Sequence, residues 1–465
     1  MFWLLKTLTE AHVTRSLRRA FVTSVCFGGG AMVVINVRRS TMVRPAEATP
    51  QRRLWLSNLD LVMLNHYTLS VHFYRPDGSA NFFDAAVLRD ALARVLVPFY
   101  PMAGRLACDE DDRIMIDCNG DGALFVEADA EATVDDFGDF APTVELEQLF
   151  PKPDADCTDD ISAFPLFLIQ VTHLKCGGVA LGTGVHHQVV DGLAGLHLIN
   201  SWSDVARGVG INVQPFIDRT ILRSRDPPNP SFPHIEYQPA PSMNSSVAQV
   251  PSSAVAVRIF KLTREQLNLL KAKAPPDGSY STHVLLAAHL WRCACIARDL
   301  PPDQMTKMYI PTDGRQRIQP PLPQGYFGNV IFRAAPVATA GEVTSPEGGP
   351  SPAAKTIQEA VLRMDGTYLQ SALDYLEIRS NMLAQKVNGA TPFGCPNLWL
   401  TSWARLPIHD ADFGWGRPIF MGPSPIRVEG VAIILPSAAG DGGLSVAISL
   451  QPDHMVKFQE LIYDI

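Results

Sequence analysis

The sequence predicts a mixed α/β protein built as two halves around a long Pro-rich connection. Three observations carry this. At 465 residues the chain exceeds one ordinary core. β-rich runs and helix-period runs are interleaved in both halves. Between them, residues 226–253 hold Pro227, Pro228, Pro230, Pro233, Pro239, Pro241 and Pro251 among Ser and Asn, a linker composition.

Residues 1–31 carry Arg15, Ser16, Arg18 and Arg19 with Glu10 as the one acid, a bias resembling an organellar transit peptide. Their apolar stretches are too short for a secretory signal or a membrane span. Met32 then opens the run Val33-Val34-Ile35-Asn36-Val37, read as the first strand. Asp84 to Val97 has helical spacing, with Ala86, Leu88, Leu92, Val95 and Leu96 apolar, and stops before Pro98. Leu166–Leu174 and Val179–Val185 read as strands joined by the hairpin punctuation Cys176-Gly177-Gly178. After Asp191 the spacing of Leu193, Leu196, Ile199, Trp202 and Val205 predicts a helix ending at Gly208.

The first half thus spans residues 32–225 and the second 254–465. The second opens with a strand over Ala254–Leu262, a helix from Arg264 to Lys273 and another over Thr282–Arg298. Residues 343–353 read as a Pro/Gly/Ser loop. Near the end, Gly440-Asp441-Gly442-Gly443 joins strands Val431–Leu435 and Leu444–Leu450.

The apolar fraction of 46% and charged fraction of 18% belong to a globular protein with a large interior. A net charge of −8 argues against nucleic acid, which needs a basic face. The eight cysteines are scattered, and Cys293-x-Cys295 on a helix is a poor zinc or disulfide frame, so reduced thiols are expected. No metal site and no membrane partner are expected, and the localisation read from these signals is cytoplasmic, with an organelle as the alternative that residues 1–31 leave open.

Chemistry concentrates in His186-His187-Gln188-Val189-Val190-Asp191-Gly192. A histidine between a strand and a helix projects from a rigid base, and it titrates near neutrality, so it can take a proton from an attacking hydroxyl or amine. Adjacent residues leave a strand on opposite faces, so His186 reads as a core-side residue. Asp191 either orients the ring or caps the helix. No Gly-x-Ser-x-Gly nucleophile elbow occurs. Direct attack by the acceptor, without a covalent enzyme intermediate, is favoured, since no particular thiol can be nominated as a nucleophile beside His187.

Tyr100-Pro101-Met102-Ala103-Gly104-Arg105-Leu106, His187-x-x-x-Asp191-Gly192 and Asp412-Phe413-Gly414-Trp415-Gly416 stand in this order along the chain. Together they resemble the plant BAHD acyltransferases over residues 33–465. Ser40–Ala46, Asp135–Pro142 and Tyr326–Phe332 bring the likeness nearest to hydroxycinnamoyl-CoA shikimate/quinate hydroxycinnamoyltransferases.

The resemblance implies two chloramphenicol-acetyltransferase-like domains with a solvent channel between them. It implies CoA thioester as co-substrate, no bound cofactor and a small-molecule acceptor, and a monomer is expected. It makes His187 the general base, with Thr401 and Trp403 at the reaction centre and Trp403 as oxyanion donor. Asp191, Asp412 and Arg315 become structural, Asp412 pairing with Arg315. Lys271 and Lys273 are candidates for CoA phosphates, although helix lysines usually face water.

The acceptor pocket departs from the family pattern. Asn388 stands where those enzymes carry an arginine that grips the acceptor carboxylate, and a neutral amide cannot replace that fork. Trp399 replaces a glycine beside Thr401. Asn65-His66-Tyr67-Thr68-Leu69-Ser70-Val71-His72 keeps Thr68 and Ser70 but places Tyr67 and His72 at the family's histidine and tyrosine positions. Thr68, Ser70, Tyr67, Asn388 and Trp399 are therefore the candidate acceptor-binding residues. The expected reaction is transfer of a hydroxycinnamoyl group to a hydroxyl. The alternatives are N-acylation of an aromatic amine or polyamine, or a non-catalytic binding module.

Overall fold

A computed structural model describes residues 33–152, 160–244, 255–274, 280–345, 352–379 and 393–465. The N-terminal extension, Asn388, and parts of the Pro-rich connection and of the 343–353 loop lie outside these residues. In chain order the first half runs β1 (Ile35–Val43), β2 (Arg53–Trp55), α1 (Asn58–Leu61), β3 (Tyr67–Tyr74), α2 (Ala85–Val95), β4 (Arg105–Cys108), β5 (Ile114–Asp117), β6 (Ala123–Ala130), β7 (Phe167–Leu174), β8 (Val179–His186) and α3 (Gly192–Ala206). The second half continues with β9 (Ala256–Leu262), α4 (Arg264–Ala272), α5 (Thr282–Ala297), β10 (Met305–Asp313), β11 (Ile331–Ala334), β12 (Val337–Thr339), α6 (Ala340–Thr344), α7 (Pro352–Leu362), α8 (Gly366–Ile378), β13 (Leu398–Ser402), β14 (Phe420–Pro423), β15 (Val431–Pro436), β16 (Leu444–Leu450) and α9 (Pro452–Leu461).

Two large sheets organise the molecule. One has the order β1-β6-β7-β8-β3-β14, the other β11-β10-β13-β15-β16-β9 with β12 beside β10. A small sheet β2-β5-β4 lies apart. The predicted hairpins form as expected: β7 pairs antiparallel with β8, and β15 with β16. The first strand starts later and runs longer than its sequence suggests, because its pairing with β6 extends from Ile35 to Val43.

The halves are interlocked. β14, from the second half, pairs antiparallel with β3 and so completes the first sheet. The Asp412–Gly416 segment adds a second tie. Phe413 is 2% exposed and packs edge-on against Trp202 with ring centroids 4.7 Å apart, beside Phe83 at 5.6 Å. Tyr74 donates its hydroxyl to the Ala411 carbonyl at 2.8 Å. Asp412 Oδ1 accepts the backbone N–H groups of Gly414 and Gly416 at 2.9 and 3.0 Å. Both glycines have left-handed φ values, +101° and +96°, which let the N–H groups converge on one oxygen. Asp412 thus caps its own turn, and its expected pairing with Arg315 is corrected: Arg315 bonds Asp191 and Asp313 instead.

Helix α3 starts on Asp191, whose side chain accepts the Ala194 N–H at 3.0 Å. The apolar stripe read from the sequence is only partly right. Leu198, Ile199, Trp202 and Val205 enter the core of the first half with Leu88, Leu92 and Val95 of α2. Leu196 turns instead toward the second half, joining Ile408, Met421 and Ile433. A helix packed against both halves buries two faces, so a single-stripe reading under-calls it.

Candidate active site

The register of β3 and β8 decides which side chains face the cleft. Tyr67 lies opposite His186, Thr68 opposite Val185 and Ser70 opposite Thr183. Alternation then puts Thr68 and Ser70 with Thr183 and Val185 on one face, and His187 continues that face. A narrow cleft is lined there by Thr68, Ser70, Gly195 of α3, and Trp403, Leu406 and Met421 of the second half. Trp399, Thr401 and Trp403 alternate with Leu400, which is fully buried on the other side of β13.

Tyr67 is placed elsewhere. Its ring packs edge-on against His186 with centroids 5.4 Å apart, and its hydroxyl donates to the Pro165 carbonyl at 2.6 Å. Assignment of Tyr67 to the acceptor site is corrected accordingly: one residue of register sends it to the reverse face from Thr68. His186 is core-side as expected, 4% exposed, with Nε2 bonded to Asn65 Oδ1 at 3.1 Å. Burial lowers its pKa to about 4, helped by the neighbouring histidines.

His187 is half-buried. Its Nδ1 is shut off from solvent, so Nε2 is the nitrogen that an acceptor can reach. His66 meets the ring edge-on at a centroid distance of 5.4 Å. Burial lowers the His187 pKa below its ordinary value, while backbone contacts and the Asp191 charge act in the opposite sense and the Arg333 cation lowers it further. The ring is therefore neutral at neutral pH, the form a general base needs.

Two buried carboxylates hold the His187 loop. The His187 N–H donates to the His66 carbonyl at 2.9 Å. Asn329 Nδ2 donates to the His187 carbonyl at 2.8 Å and to Asp60 Oδ1 at 2.9 Å. Asp60 also accepts from the fully buried Arg219 at 2.9 Å and caps α1 through Ser57. Downstream of His187, Asp191 accepts from Arg315 at 2.9 and 3.0 Å and from the Val330 N–H at 3.0 Å. Asp191 is thus a cap and an interlock, and no described hydrogen bond joins it to the His187 ring.

Sequence reasoning missed Asp60, Asn329, Arg219 and Arg333. The Ser57-x-x-Asp60 capping box was a readable signal for the first. Asn329 lies within Tyr326–Phe332, and only the fold brings it to His187.

On the second-half wall, Trp399 stacks on Tyr309 with centroids 5.7 Å apart and lies under the Arg333 guanidinium at 5.3 Å. Neither the Trp403 indole N–H nor the Thr401 hydroxyl is engaged by another described residue. Lys271 and Lys273 are exposed. Among the described residues no group of three or more His, Cys, Asp or Glu could hold a metal ion, and no helix is long and apolar enough to cross a membrane.

The transferase family profile matches residues 33–465. The chain is 57% identical over 440 residues to the shikimate O-hydroxycinnamoyltransferase of Nicotiana tabacum, covering 92% of this chain and 99% of that one. It is 59% identical over 451 residues to an Avena sativa hydroxycinnamoyl-CoA:5-hydroxyanthranilate N-hydroxycinnamoyltransferase, covering 93% and 100%. The fold matches vinorine synthase with a TM-score of 0.69 at 22% identity, covering 91% of this chain and 96% of that one. It also matches the F. graminearum TRI101 complex with coenzyme A and T-2 mycotoxin, with a TM-score of 0.70 at 19% identity and coverage of 88% and 97%. The chain belongs to the transferase family and, within it, to the BAHD acyl-CoA-dependent acyltransferases.

Proposed function

We propose that the protein transfers a hydroxycinnamoyl group from its CoA thioester to a hydroxyl of a small acceptor by direct attack, without an acyl-enzyme. The observation that supports this is the cleft lined by Thr68 and Ser70 of β3 and by Trp403 of the second half, beside the end of β8 that His187 directly follows. In this reading His187 Nε2 takes the hydroxyl proton as the acceptor oxygen bonds to the thioester carbon. The tetrahedral oxyanion is met by the Trp403 N–H or the Thr401 O–H. Collapse breaks the C–S bond, and the CoA thiolate takes the proton back from the imidazolium. Thr68 and Ser70 position the bound substrates.

A second reading, N-acylation of an aromatic amine, is favoured by the 59% identity to the Avena sativa N-transferase. The same proton transfer serves an amine. The reading further has two acyltransferase domains meeting at His187, and a cytoplasmic monomer using CoA as co-substrate without a resident cofactor; light scattering would test the monomer.

The deciding experiment incubates the protein with p-coumaroyl-CoA and shikimate, quinate, 5-hydroxyanthranilate, tyramine or a polyamine, and weighs the products. An ester supports the first reading and an amide the second. Absence of any product and of free CoA would overturn both. His187→Ala is expected to lower kcat by about 10²–10⁴-fold, and unchanged turnover would remove the general-base role.

A further inference from the structure

Buried arginines in this molecule generally have visible work. Arg219 is paired with Asp60, Arg298 with Glu429 and Arg315 with Asp191. Arg105 has no acid partner among the described residues, but it spends one amino group on the Gly104 and Gly122 carbonyls at 2.7 and 2.9 Å. Arg333 is different. Among the described residues no carboxylate lies within ion-pair distance of it, and its one hydrogen bond is a long contact of 3.5 Å from Nη2 to the Val62 carbonyl.

Its position is defined all the same. Arg333 sits on β11 opposite Pro311. Its guanidinium lies 5.3 Å from the Trp399 ring centroid and 5.8 Å from that of Tyr237. The contact to Val62 carries it across the junction, to the segment that leads to His66 and the His187 loop. Trp399 shares its face of β13 with Thr401, and the Arg333 charge is felt at His187. Glu236, the acid that acts on Arg333, is already bonded to His234 at 2.9 Å and to the Tyr368 hydroxyl at 2.8 Å.

A half-buried guanidinium held by aromatic faces keeps most of its N–H donors uncommitted. Leaving it without an anion is costly unless the site receives one. Aromatic stacking fixes the plane of the fork and leaves its edge free for bidentate contact.

We propose that Arg333 receives the carboxylate of the acceptor, so that the protein acylates hydroxyls or amines of small carboxylic acids rather than neutral alcohols or polyamines. This rests on the acyl-transfer reading above. It also answers the absence of an arginine at position 388, since Arg333 of β11 supplies a cation of its own. Shikimate and 5-hydroxyanthranilate, named by relatives, are both carboxylic acids.

The test uses the full chain with p-coumaroyl-CoA and pairs each acid, shikimate or 5-hydroxyanthranilate, with its methyl ester. The wild-type protein is expected to show a KM about 10–100-fold lower for the acid than for the ester. Arg333→Gln should abolish that preference by raising the acid's KM, Arg333→Lys should keep part of it, and the KM for p-coumaroyl-CoA should not move. Equal treatment of acid and ester by the wild-type protein overturns the proposal without any variant, so misfolding of Arg333→Gln does not decide it. A rise in KM for the CoA donor also overturns it and makes Arg333 a CoA contact. If only neutral acceptors are acylated, acyl transfer stands and the Arg333 proposal falls. If nothing is acylated, quenching of tryptophan fluorescence by shikimate in the presence of CoA decides: binding weakened in Arg333→Gln supports the proposal, and absence of binding overturns it.

Discussion

In the proposed reaction His187 can act as a base only while its ring is neutral, and burial favours the neutral form. The sign follows directly. A pKa lowered from 6.5 leaves the imidazole unprotonated down to a more acidic pH than a free histidine would allow. The acid limb of the kcat/KM profile is therefore expected to have its midpoint below pH 6.5, and a midpoint at or above 7 would contradict this environment. Tyr67 teaches the complementary lesson at the same scale. Its neighbour Thr68 faces the cleft, yet the Tyr67 hydroxyl is consumed by the Pro165 carbonyl on the other side of the strand. Nothing in the local composition distinguishes the two; only the register with β8 does.

At the scale of elements, the ends of the His187 loop are held by segments of the second half. Arg315 joins Asp191, and Asn329 joins the His187 carbonyl to Asp60. The Asp412 turn is held by its own glycines and by aromatic packing. Double-mutant cycles measured by urea unfolding should separate these roles. Asp191→Ala with Arg315→Ala is expected to give a coupling energy of about 1–3 kcal/mol, and Asp412→Ala with Arg315→Ala one within about 0.5 kcal/mol of zero. Coupling of Arg315 to Asp412 instead would restore the pairing that the sequence resemblance implied. Asp191→Ala alone should destabilise by about 3–5 kcal/mol, since it leaves the buried Arg315 only the part-exposed Asp313 as counter-ion and orphans the Val330 N–H.

Across the whole molecule, buried neutral histidines make the fold sensitive to acid. Burial lowers His72 to about 3 and His186 to about 4, and these side chains are 0% and 4% exposed. Both groups take up protons near pH 6.5 when unfolded, so the unfolded chain binds more protons as pH falls below that value. Stability is thus complete above pH 6.5 and is lost progressively as pH falls toward 4 and 3. Urea midpoints at pH 7, 5.5 and 4.5 should decline, and His72→Phe should flatten the decline. A His72→Phe variant with the same pH dependence as the parent would assign the acid sensitivity elsewhere.

Most elements and the candidate base were legible in the linear sequence. Periodicity located α2, α4, α5 and the two hairpins to within a few residues, because each is specified by contacts close along the chain. The ordered motifs singled out His187, and the family resemblance added Thr68, Ser70, Thr401 and Trp403, because each lies in a short, distinctive run. What tertiary structure alone decided were the long-range partners. Arg315 lies 124 residues from Asp191, and Asn329 lies 142 from His187. β14 crosses into the first sheet, α3 buries two faces, and Arg333 stands on β11 beside Trp399 of β13. Ion pairs and cation–aromatic stacks depend on distance in space, which a one-dimensional pattern does not encode.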